Sequence, residues 1–471
     1  MNPKLWIYDT TLRDGSQAEG ISLSVNDKLK IARQLDAMGI PFIEGGWPGA
    51  NPKDVEFFAQ LQQEPLTQAE VVAFCATRRP NQLAAKDPML QGILAAQTTW
   101  ITIFGKSWDL HVTSSLKTSL EENLAMILDS ITFLCSQGRK VIYDAEHWFD
   151  GYKNNPDYAL QTLRTAISAG ASWLVLCDTN GGTLPHEITE IVEAIYQAIP
   201  ELHHPDYPKL GIHTHNDAGT AVANAIAAVR AGATMVQGTI NGYGERCGNA
   251  DLCSLIPNLQ LKLNYNCLAG NKLSQLTATS RLVSEIVNFA PEARTPFVGK
   301  SAFTHKAGIH VSAVQKNPIT YEHIEPTMVG NQRQIIISEQ SGLSNLLYYA
   351  HKFGLNLAKN DPRCRTILSN LKELENQGYQ FEAAEASFEL MMRSIIEEKK
   401  PLFTLRGCQV HCDIKPQSDP FMSNAFATIK LTVNNQDLLE VAEGIGPVAA
   451  LDRALRQALT KFYPKFLLCS R

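Results

Sequence analysis

The sequence predicts a (β/α)8 barrel, the TIM-barrel class of α/β fold, followed by a helical region and a small α+β unit. Short apolar runs alternate with amphipathic helical stretches over roughly the first 260 residues, which is the pattern of parallel strands joined by crossover helices. Polar residues cluster where the apolar runs end. An open doubly wound sheet is the alternative, but its glycine-rich phosphate turn should follow the first strand, and the segment at 10–17 does not match that turn.

Predicted strands and helices take turns along the first half of the chain. The strands are expected at 5–9, 42–46, 71–75, 100–105, 140–146, 173–179, 210–215 and 236–241. Helices with one apolar face are expected at 25–38, 120–136, 157–169, 186–198 and 218–231. Gly39 and Gly170 are among the glycines that follow these helices and suit a helix C-terminal cap. The alternation stops near residue 264, so we predict the barrel at 1–263, a helical region at 264–400 and a strand-strand-helix unit at 401–471.

Composition narrows the class of protein. The 471 residues carry 42 Lys and Arg against 47 Asp and Glu without a basic block, so neither nucleic acid nor an anionic membrane is an expected partner. No apolar run reaches the length of a transmembrane helix, and the N-terminal segment lacks the pattern of a signal peptide. Ten scattered cysteines without a C-x-x-C pair fit reduced thiols. The sequence therefore predicts a cytoplasmic protein.

Two histidines at the end of the seventh predicted strand indicate a metal site. His213 and His215 are two residues apart, so on a strand both imidazoles face the same side. Asp14 follows the first strand, and Asn249 follows the eighth, so each could add an oxygen ligand. A mixed nitrogen and oxygen set with open positions suits Mg²⁺, Mn²⁺ or Zn²⁺, and the sequence does not choose among them. The alternative is a pair of histidines that pack or hydrogen-bond in a core.

Further polar residues follow the strand ends and should share one rim of the barrel. They include Asp9, Arg13, Gln17, Glu44, Tyr143, Asp144, Glu146, Asp178, Thr179, Asn241, Glu245 and Arg246. A metal ion with open positions would let a 2-oxo acid chelate through its carboxylate and keto oxygen. Arg13 could then stabilise the developing alkoxide. Asp9 and Asp178 could equally cap helices, and Glu245 with Arg246 could form a local ion pair.

Three segments at 9–17, 213–217 and 242–249 together carry a specific resemblance. They read Asp-Thr-Thr-Leu-Arg-Asp-Gly-Ser-Gln, His-Thr-His-Asn-Asp and Gly-Tyr-Gly-Glu-Arg-Cys-Gly-Asn. These motifs resemble those of the 2-isopropylmalate, homocitrate and citramalate synthases, a family that shares its barrel with the 3-hydroxy-3-methylglutaryl-CoA lyases. The segments at 44–54 and 143–152 are most similar to the citramalate synthase branch. The resemblance covers essentially the whole chain.

The resemblance implies a reaction. It is a metal-dependent Claisen condensation of acetyl-CoA with a 2-oxo acid, here pyruvate, with thioester hydrolysis to (R)-citramalate and CoA in isoleucine biosynthesis. The alternative within the family is 2-isopropylmalate synthesis from 2-oxoisovalerate in leucine biosynthesis. A carbon–carbon lyase similar to the HMG-CoA lyases is a further alternative. A metal-dependent amide hydrolase is less well supported, because such barrels carry His-x-His on the first strand rather than the seventh.

Residue roles follow from the same resemblance. The metal positions are Asp14, His213, His215 and Asn249. Arg13 is expected to polarise the carbonyl group, and Glu146 to serve in acid–base catalysis on the acetyl group. Substrate binding is assigned to Arg13, Gln17, Glu44, Tyr143 and Thr179.

The regions after the barrel also acquire roles from the resemblance. Residues 301–310 resemble a segment that, in the family, leaves the barrel and covers the active site of the partner subunit. This implies a homodimer in which the partner supplies His310 as the general base or the partner of that base, and Tyr321 as a helper, within a lid and linker region at 264–400. His305 is expected to be structural. Residues 401–471 resemble half of the family's regulatory domain, which leaves feedback control by isoleucine or leucine open, and Cys408, His411 and Cys412 are interpreted as ordinary strand residues.

Overall fold

A closed barrel of eight parallel strands forms the first part of the protein. The structure, a computed structural model, describes residues 2–268, 270–397, 401–413 and 424–465. The first strand pairs with both the second and the eighth, so the sheet has no free edge. The strands are β1 (Trp6–Asp9), β2 (Phe42–Gly46), β3 (Glu70–Ala76), β4 (Trp100–Lys106), β5 (Lys140–Glu146), β6 (Trp173–Asp178), β7 (Lys209–Thr214) and β8 (Met235–Gly238). The predicted TIM-barrel class is confirmed.

Helices connect the strands of the barrel, and one more helix follows the last strand. They are α1 (Val25–Met38), α2 (Pro52–Gln63), α3 (Pro88–Leu94), α4 (Asp109–Ser114), α5 (Leu120–Ser136), α6 (Trp148–Asn154), α7 (Pro156–Ser168), α8 (Pro185–Ala198), α9 (Ala221–Arg230) and α10 (Leu252–Pro257). The first helix shows how local sequence sets the ends. The Ser24 hydroxyl accepts from the Asp27 amide and the Asp27 carboxylate accepts from the Ser24 amide, a capping box whose side-chain cap stabilises a helix by about 1 kcal/mol. Gly39, with φ of 84°, ends the helix in a left-handed conformation.

Side chains of the barrel strands alternate between two cores. One face of each strand packs against the helices. The opposite face points into the barrel, where one layer is apolar and consists mainly of Tyr8, Phe42, Val72, Ile142, Trp173, Val175, Cys177 and Met235. Two residues further along their strands, on the same inward face, stand the polar residues Glu44, Asp144 and Gln237. The apolar layer therefore fills the barrel interior on the side of the N-terminal ends of the strands, and the polar positions lie toward the C-terminal ends.

The first compact unit of the chain extends past the barrel. It comprises residues 1–305 and 313–335, and the second unit comprises 306–312 and 336–471. The additional elements are α11 (Leu276–Ile286), α12 (Gly308–Lys316), which crosses the boundary between the units, and the short parallel strands β9 (Thr304–His305) and β10 (Gln334–Ile335). The unit runs beyond residue 263 because α11 packs on α1, where Gln34 Nε2 donates to Thr279 Oγ1 at 2.9 Å.

The second unit contains helices and a small antiparallel sheet. The helices are α13 (Leu343–Lys352), α14 (Arg363–Asn376), α15 (Glu385–Ile396) and α16 (Pro447–Thr460), and the strands β11 (Thr404–Asp413), β12 (Asn424–Val433) and β13 (Gln436–Gly444) follow the order β11-β12-β13. The third strand was not predicted, because charged residues interrupt its apolar positions. Ala450, Ala454 and Ala458 let α16 pack closely on one face of the sheet. Within the described ranges, no helix has the length and apolarity needed to cross a bilayer.

Candidate active site

Asp14, His213 and His215 form a buried cluster beside the C-terminal ends of the barrel strands. Their ligand atoms all lie within 4.8 Å of one another. His213 Nε2 is 3.4 Å from Asp14 Oδ2 and 3.3 Å from His215 Nε2. Two imidazole nitrogens and a carboxylate oxygen that converge in this way are suitable ligands for a divalent metal ion. The structure therefore brings together three of the four residues predicted to bind metal.

Local backbone contacts place these three side chains. His213 lies within β7, and His215 follows the last residue of that strand. The backbone of His215 pairs with Asn249, which continues the extended course of the chain and keeps both imidazoles on one side. Asp14 stands in a turn after β1, where its amide donates to Thr10 Oγ1 at 3.3 Å. Strand pairing and a tight turn thus fix the cluster from two distant parts of the sequence.

Asn249, the fourth predicted ligand, has an amide group that is only half satisfied. Its Nδ2 donates to the carbonyl of Tyr243 at 3.1 Å, while its buried Oδ1 has no hydrogen-bond partner. A Cβ on Gly244 would lie 2.2 Å from Asn249 Nδ2, so glycine at this position leaves room for the amide. An unpaired buried carbonyl oxygen costs about 1–3 kcal/mol. Coordination of a metal ion would satisfy it, so the residues present fit the implied cation.

Electrostatic interactions favour the ionised form of Asp14 and the neutral form of His215. Burial raises the pKa of Asp14, but the charge of Arg13 and the bond with His213 outweigh this effect and hold the pKa well below its usual value. Burial and the neighbouring His213 lower the pKa of His215 to about 3, so this imidazole is neutral. Burial also lowers the pKa of His213, but Asp14 outweighs it and the net direction is upward. The site therefore offers an ionised carboxylate beside a neutral imidazole.

Arg13 is held in a fixed position beside this cluster. Its Nε donates to Glu44 Oε2 at 2.7 Å, and its NH1 lies 3.4 Å from Asp14 Oδ2. The guanidinium carbon lies 3.8 Å from the centre of the Phe74 ring, in a cation–π contact. Burial lowers the pKa of Arg13, but the charges of Glu44 and Asp14 outweigh this effect. The net direction is upward, so Arg13 stays protonated. A rigid positive charge thus faces the same space as the metal cluster.

Glu44 does not face that space. Its carboxylate is fully buried and accepts from Tyr8 at 2.7 Å and from Thr10, in addition to Arg13. Glu44 was predicted to contact the substrate, but in the structure it lies behind Arg13. Its oxygens are occupied by donors from the protein, and its role in the geometry is to orient the guanidinium.

A cavity of about 220 Å³ opens beside the cluster and Arg13. Among the predicted residues it is lined by Arg13, Asp14, Gln17, Glu146, Thr179, His213 and His215. The other wall is largely apolar and includes Trp47, Phe74 and Phe104. The rings of Phe74 and Phe104 stack with their centres 5.3 Å apart, and Trp47 stands edge-on to each at 5.8 Å. The cavity thus has one polar side, which carries the candidate metal ligands, and one apolar side formed by packed aromatic rings.

Glu146 and Thr179 occupy the remaining polar side of the cavity. The Glu146 carboxylate forms an ion pair with Lys106 of β4. The Thr179 hydroxyl accepts from the His147 amide at 2.8 Å, and a hydroxyl that accepts one bond can still donate another. Arg246 braces this edge, because its NH2 donates to the Thr179 carbonyl at 2.6 Å and its guanidinium binds both carboxylate oxygens of Asp217.

Three further predicted residues lie elsewhere. Tyr143 is fully buried on the outward face of β5, opposite its neighbour Asp144, so its predicted substrate contact is corrected. His310 is exposed on α12 within the second unit. Tyr321 is 46% exposed within the first unit. The predicted roles of His310 and Tyr321 depend on a partner subunit and stay predictions. His305, expected to be structural, bonds to buried Glu322 at 2.9 Å.

Several residues of the site were given no role from the sequence. Asp144 was placed on the predicted rim but was not assigned a role, although it lines the cavity and shares a strand face with Glu146. Phe74 and Phe104 lie inside apolar strands, where nothing in the sequence separates a cavity wall from a core position. Gln237 lies within β8, and its side chain joins His213 to Asp144. No local sequence pattern predicted the contacts of Gln237 with His213 and Asp144.

The fold and the site define an α/β-barrel enzyme with a candidate metal centre at the C-terminal ends of its strands. Comparison with known families then gives the group. Residues 4–283 match the model of the HMGL-like family, 297–379 match the homocitrate synthase post-HMGL domain-like family, and 382–468 match the LeuA allosteric (dimerisation) domain. The chain belongs to the HMGL-like family of enzymes that includes the (R)-citramalate synthases.

Individual relatives agree with this assignment. The chain is 67% identical to an (R)-citramalate synthase of Synechocystis sp., over 98% of this chain and 85% of the relative. It is 50% identical to the (R)-citramalate synthase of Aquifex aeolicus, over 98% and 86%. A 2-isopropylmalate synthase of Synechocystis sp. is 32% identical over 96% and 84%. The HMG-CoA lyase structure from Bacillus subtilis has a TM-score of 0.51 at 20% identity, over 62% of this chain and 97% of the lyase, and shares the fold.

Proposed function

We propose that this protein condenses acetyl-CoA with pyruvate and hydrolyses the resulting thioester, releasing (R)-citramalate and CoA for isoleucine biosynthesis. The observation that carries the proposal is the cavity, where the Asp14–His213–His215 cluster and Arg13 face an apolar wall across a small space. The relatives named (R)-citramalate synthase share half to two thirds of this chain's residues, and the 2-isopropylmalate synthase shares a third. Both lines of support favour pyruvate over larger 2-oxo acids.

The polar side of the cavity suits the head of a 2-oxo acid. A divalent ion held by Asp14, His213, His215 and Asn249 would polarise the keto group as a Lewis acid. Arg13 donates hydrogen bonds to the same oxygen as it gains negative charge, and its fixed position avoids reorganisation during the reaction. The Thr179 hydroxyl donates to the carboxylate of the acid.

The apolar wall suits the methyl group of pyruvate. Phe74 and Phe104 are braced by Trp47, so this wall does not yield easily to a larger side chain. Because a single methylene in a tight apolar pocket changes binding by about 1–3 kcal/mol, a rigid wall discriminates among 2-oxo acids by roughly 10–200-fold.

Acetyl-CoA has a second space next to the first. A cavity of about 320 Å³ shares Arg13, Gln17 and Trp47 with the catalytic cavity and is also lined by Lys53. The shared residues make the two cavities neighbours, which suits a thioester whose acetyl end reaches the metal cluster. Lys53 provides a positive charge for the anionic part of CoA.

The chemistry requires a base for the methyl group of acetyl-CoA, which is a weak acid and needs a base held close. We assign this role to His310, with Tyr321 as helper, both supplied by the partner subunit of a homodimer, and place Glu146 beside the acetyl group. The match of 382–468 to a dimerisation domain supports the dimer. Exposure of His310 and Ile309 on α12 supports a role for this helix at a subunit contact. Water supplies the oxygen of the new carboxylate as CoA leaves as the thiol.

The test is CoA release from acetyl-CoA with Mg²⁺ or Mn²⁺, using pyruvate, 2-oxobutanoate, 2-oxoisovalerate and 2-oxoglutarate in parallel. Highest kcat/KM with pyruvate, with citramalate as the product, is expected. Highest kcat/KM with 2-oxoisovalerate would move the protein to 2-isopropylmalate synthesis. No release with any acid, together with cleavage of a 3-hydroxyacyl-CoA, would replace the proposal with a lyase.

A further inference from the structure

Gln237 lies between the candidate metal ligand His213 and the buried carboxyl group of Asp144. Its Oε1 is 2.8 Å from His213 Nδ1, and its Nε2 is 3.1 Å from Asp144 Oδ1. The three side chains point inward from β7, β8 and β5, and none is more than 4% exposed. Water therefore does not compete for these bonds, and each polar atom depends on its protein partner.

The direction of the hydrogen bonds follows from the carboxyl end. A carboxylate has only acceptors, so the amide of Gln237 must turn its NH2 toward Asp144 and its carbonyl oxygen toward His213. A carbonyl oxygen accepts only, so His213 Nδ1 must carry the hydrogen. In a neutral imidazole the other nitrogen then has the lone pair. His213 Nε2 is the atom that faces Asp14 and His215.

The two histidines differ in this respect. His215 Nδ1 is buried without a hydrogen-bond partner among the described residues, so no side chain selects its tautomer. His213 is fixed through two bonds that end on a carboxyl group. Burial and the charge of Glu44 raise the pKa of Asp144 to about 7, so at pH 8 this group is mainly the carboxylate that accepts from Gln237.

We propose that Gln237 and Asp144 are positioning residues that hold His213 in the tautomer presenting Nε2 to the metal ion. The inference deepens the proposed function, because it concerns the same metal site. A metal-bound imidazole whose second nitrogen donates to an oriented acceptor loses less rotational freedom on binding and is a better electron donor. Loss of such a partner typically lowers metal affinity by about 10–100-fold.

The first experiment locates the hydrogen on His213 directly and does not depend on enzyme activity. Neutron crystallography of the metal-free protein at pH 8 would locate deuterium on His213 and on the amide of Gln237. Deuterium on His213 Nδ1, with the Gln237 carbonyl facing it, is expected. Deuterium on Nε2 alone, or an amide turned the other way, would overturn the proposal while leaving the proposed reaction untouched.

The second experiment uses variants and Mn²⁺ titration calorimetry. Gln237→Met keeps the volume but removes the acceptor, and a 10–100-fold weaker Mn²⁺ affinity is expected. Gln237→Glu restores an acceptor for Nδ1–H and should recover most of the affinity. Thr102→Val is the matched control, because it removes a buried polar group from the barrel interior that bonds to Tyr8 and not to His213. Equal Mn²⁺ affinity of the Gln237→Met variant and the wild type, with unchanged thermal unfolding, would overturn the proposed positioning of His213 by Gln237.

Discussion

Arg13 Nε donates to Glu44 Oε2 at 2.7 Å, and the carboxylate that accepts this bond is completely buried. The pair explains why a flexible side chain can serve as a fixed positive charge at the edge of the cavity. We predict that Glu44→Gln lowers kcat/KM for pyruvate by about 100-fold, because the oxyanion donor loses its orientation. Steady-state kinetics with pyruvate and acetyl-CoA measure the effect.

A surface ion pair supplies the control for that variant. Arg33 and Glu64 also form a charged hydrogen bond, but their side chains are 52% and 74% exposed. Glu64→Gln should leave kcat/KM within about twofold of the wild type, as for most exposed pairs. If Glu44→Gln behaved like Glu64→Gln, the positioning of Arg13 by Glu44 would be refuted.

Lys53 tests where acetyl-CoA lies. Removing its charge from the second cavity should raise the KM for acetyl-CoA by about tenfold and leave the KM for pyruvate unchanged, because one charged contact is worth about 1.5–3 kcal/mol at most. Lys30→Ala, an exposed lysine of α1, is the comparison variant. An equal change in both KM values for Lys53→Ala would argue against a CoA contact.

Asp9 gives the barrel a predictable pH dependence of stability. It is fully buried, accepts from the amide and the hydroxyl of Thr11 at 2.9 Å each, and burial raises its pKa to about 7. Between its usual value of 3.8 and about 7, the folded state keeps a proton that the unfolded chain has released. The unfolded state binds fewer protons there, so the free energy of unfolding falls as pH rises, by up to about 1.4 kcal/mol per pH unit, and this contribution is flat above pH 7.

Asp9→Asn removes that proton while keeping the shape of the side chain. Relative to the wild type, the variant should therefore become progressively more stable as pH rises from 4 to 7, and the difference should stay constant above pH 7. Denaturant unfolding of chelator-treated protein at several pH values measures the difference. Two stability curves that run parallel from pH 4 to 8 would contradict the raised pKa.

Much of the fold was predictable because strand and helix periods are local. The strands and main helices of the barrel fall close to the predicted ranges, and His213 and Asp14 meet because barrel closure brings β1 beside β8. The second unit was less predictable. The strand β13 mixes charged and apolar residues on its exposed face, so alternation alone did not distinguish it from a loop.

The clustering of Asp14, His213 and His215 was predictable from the sequence, and the surroundings of this cluster were less so. Parity decides which strand residues face the cavity, and a strand end does not reveal parity, so Tyr143 was chosen although Asp144 is the inward residue. Glu44 faces inward as expected, but its contacts with Arg13 and Tyr8 depend on neighbouring strands. Gln237 of β8 bonds to His213 of β7 and to Asp144 of β5, and contacts between strands so far apart in the sequence leave no local sequence pattern.

The assignment of His310 to a partner subunit predicts complementation. Asp14→Asn and His310→Gln should each abolish turnover alone. In a mixed dimer one site carries both defects and the other carries neither, so random mixing should restore about a quarter of wild-type activity. Co-expression with two different tags isolates the mixed dimer. No recovery in that dimer would place His310 in the active site of its own chain, and turnover by His310→Gln alone would place it outside catalysis.

The central claim is that Asp14, His213, His215 and Asn249 bind one divalent metal ion. Titration calorimetry of Mn²⁺ into chelator-treated protein tests it most directly. We expect one strong site per chain in the wild type, weakened at least 100-fold in Asp14→Asn and His213→Gln, because loss of a ligand exceeds the effect of losing a positioning partner. Thermal unfolding of both variants should match the metal-free wild type. Wild-type Mn²⁺ affinity in both variants would contradict the claim.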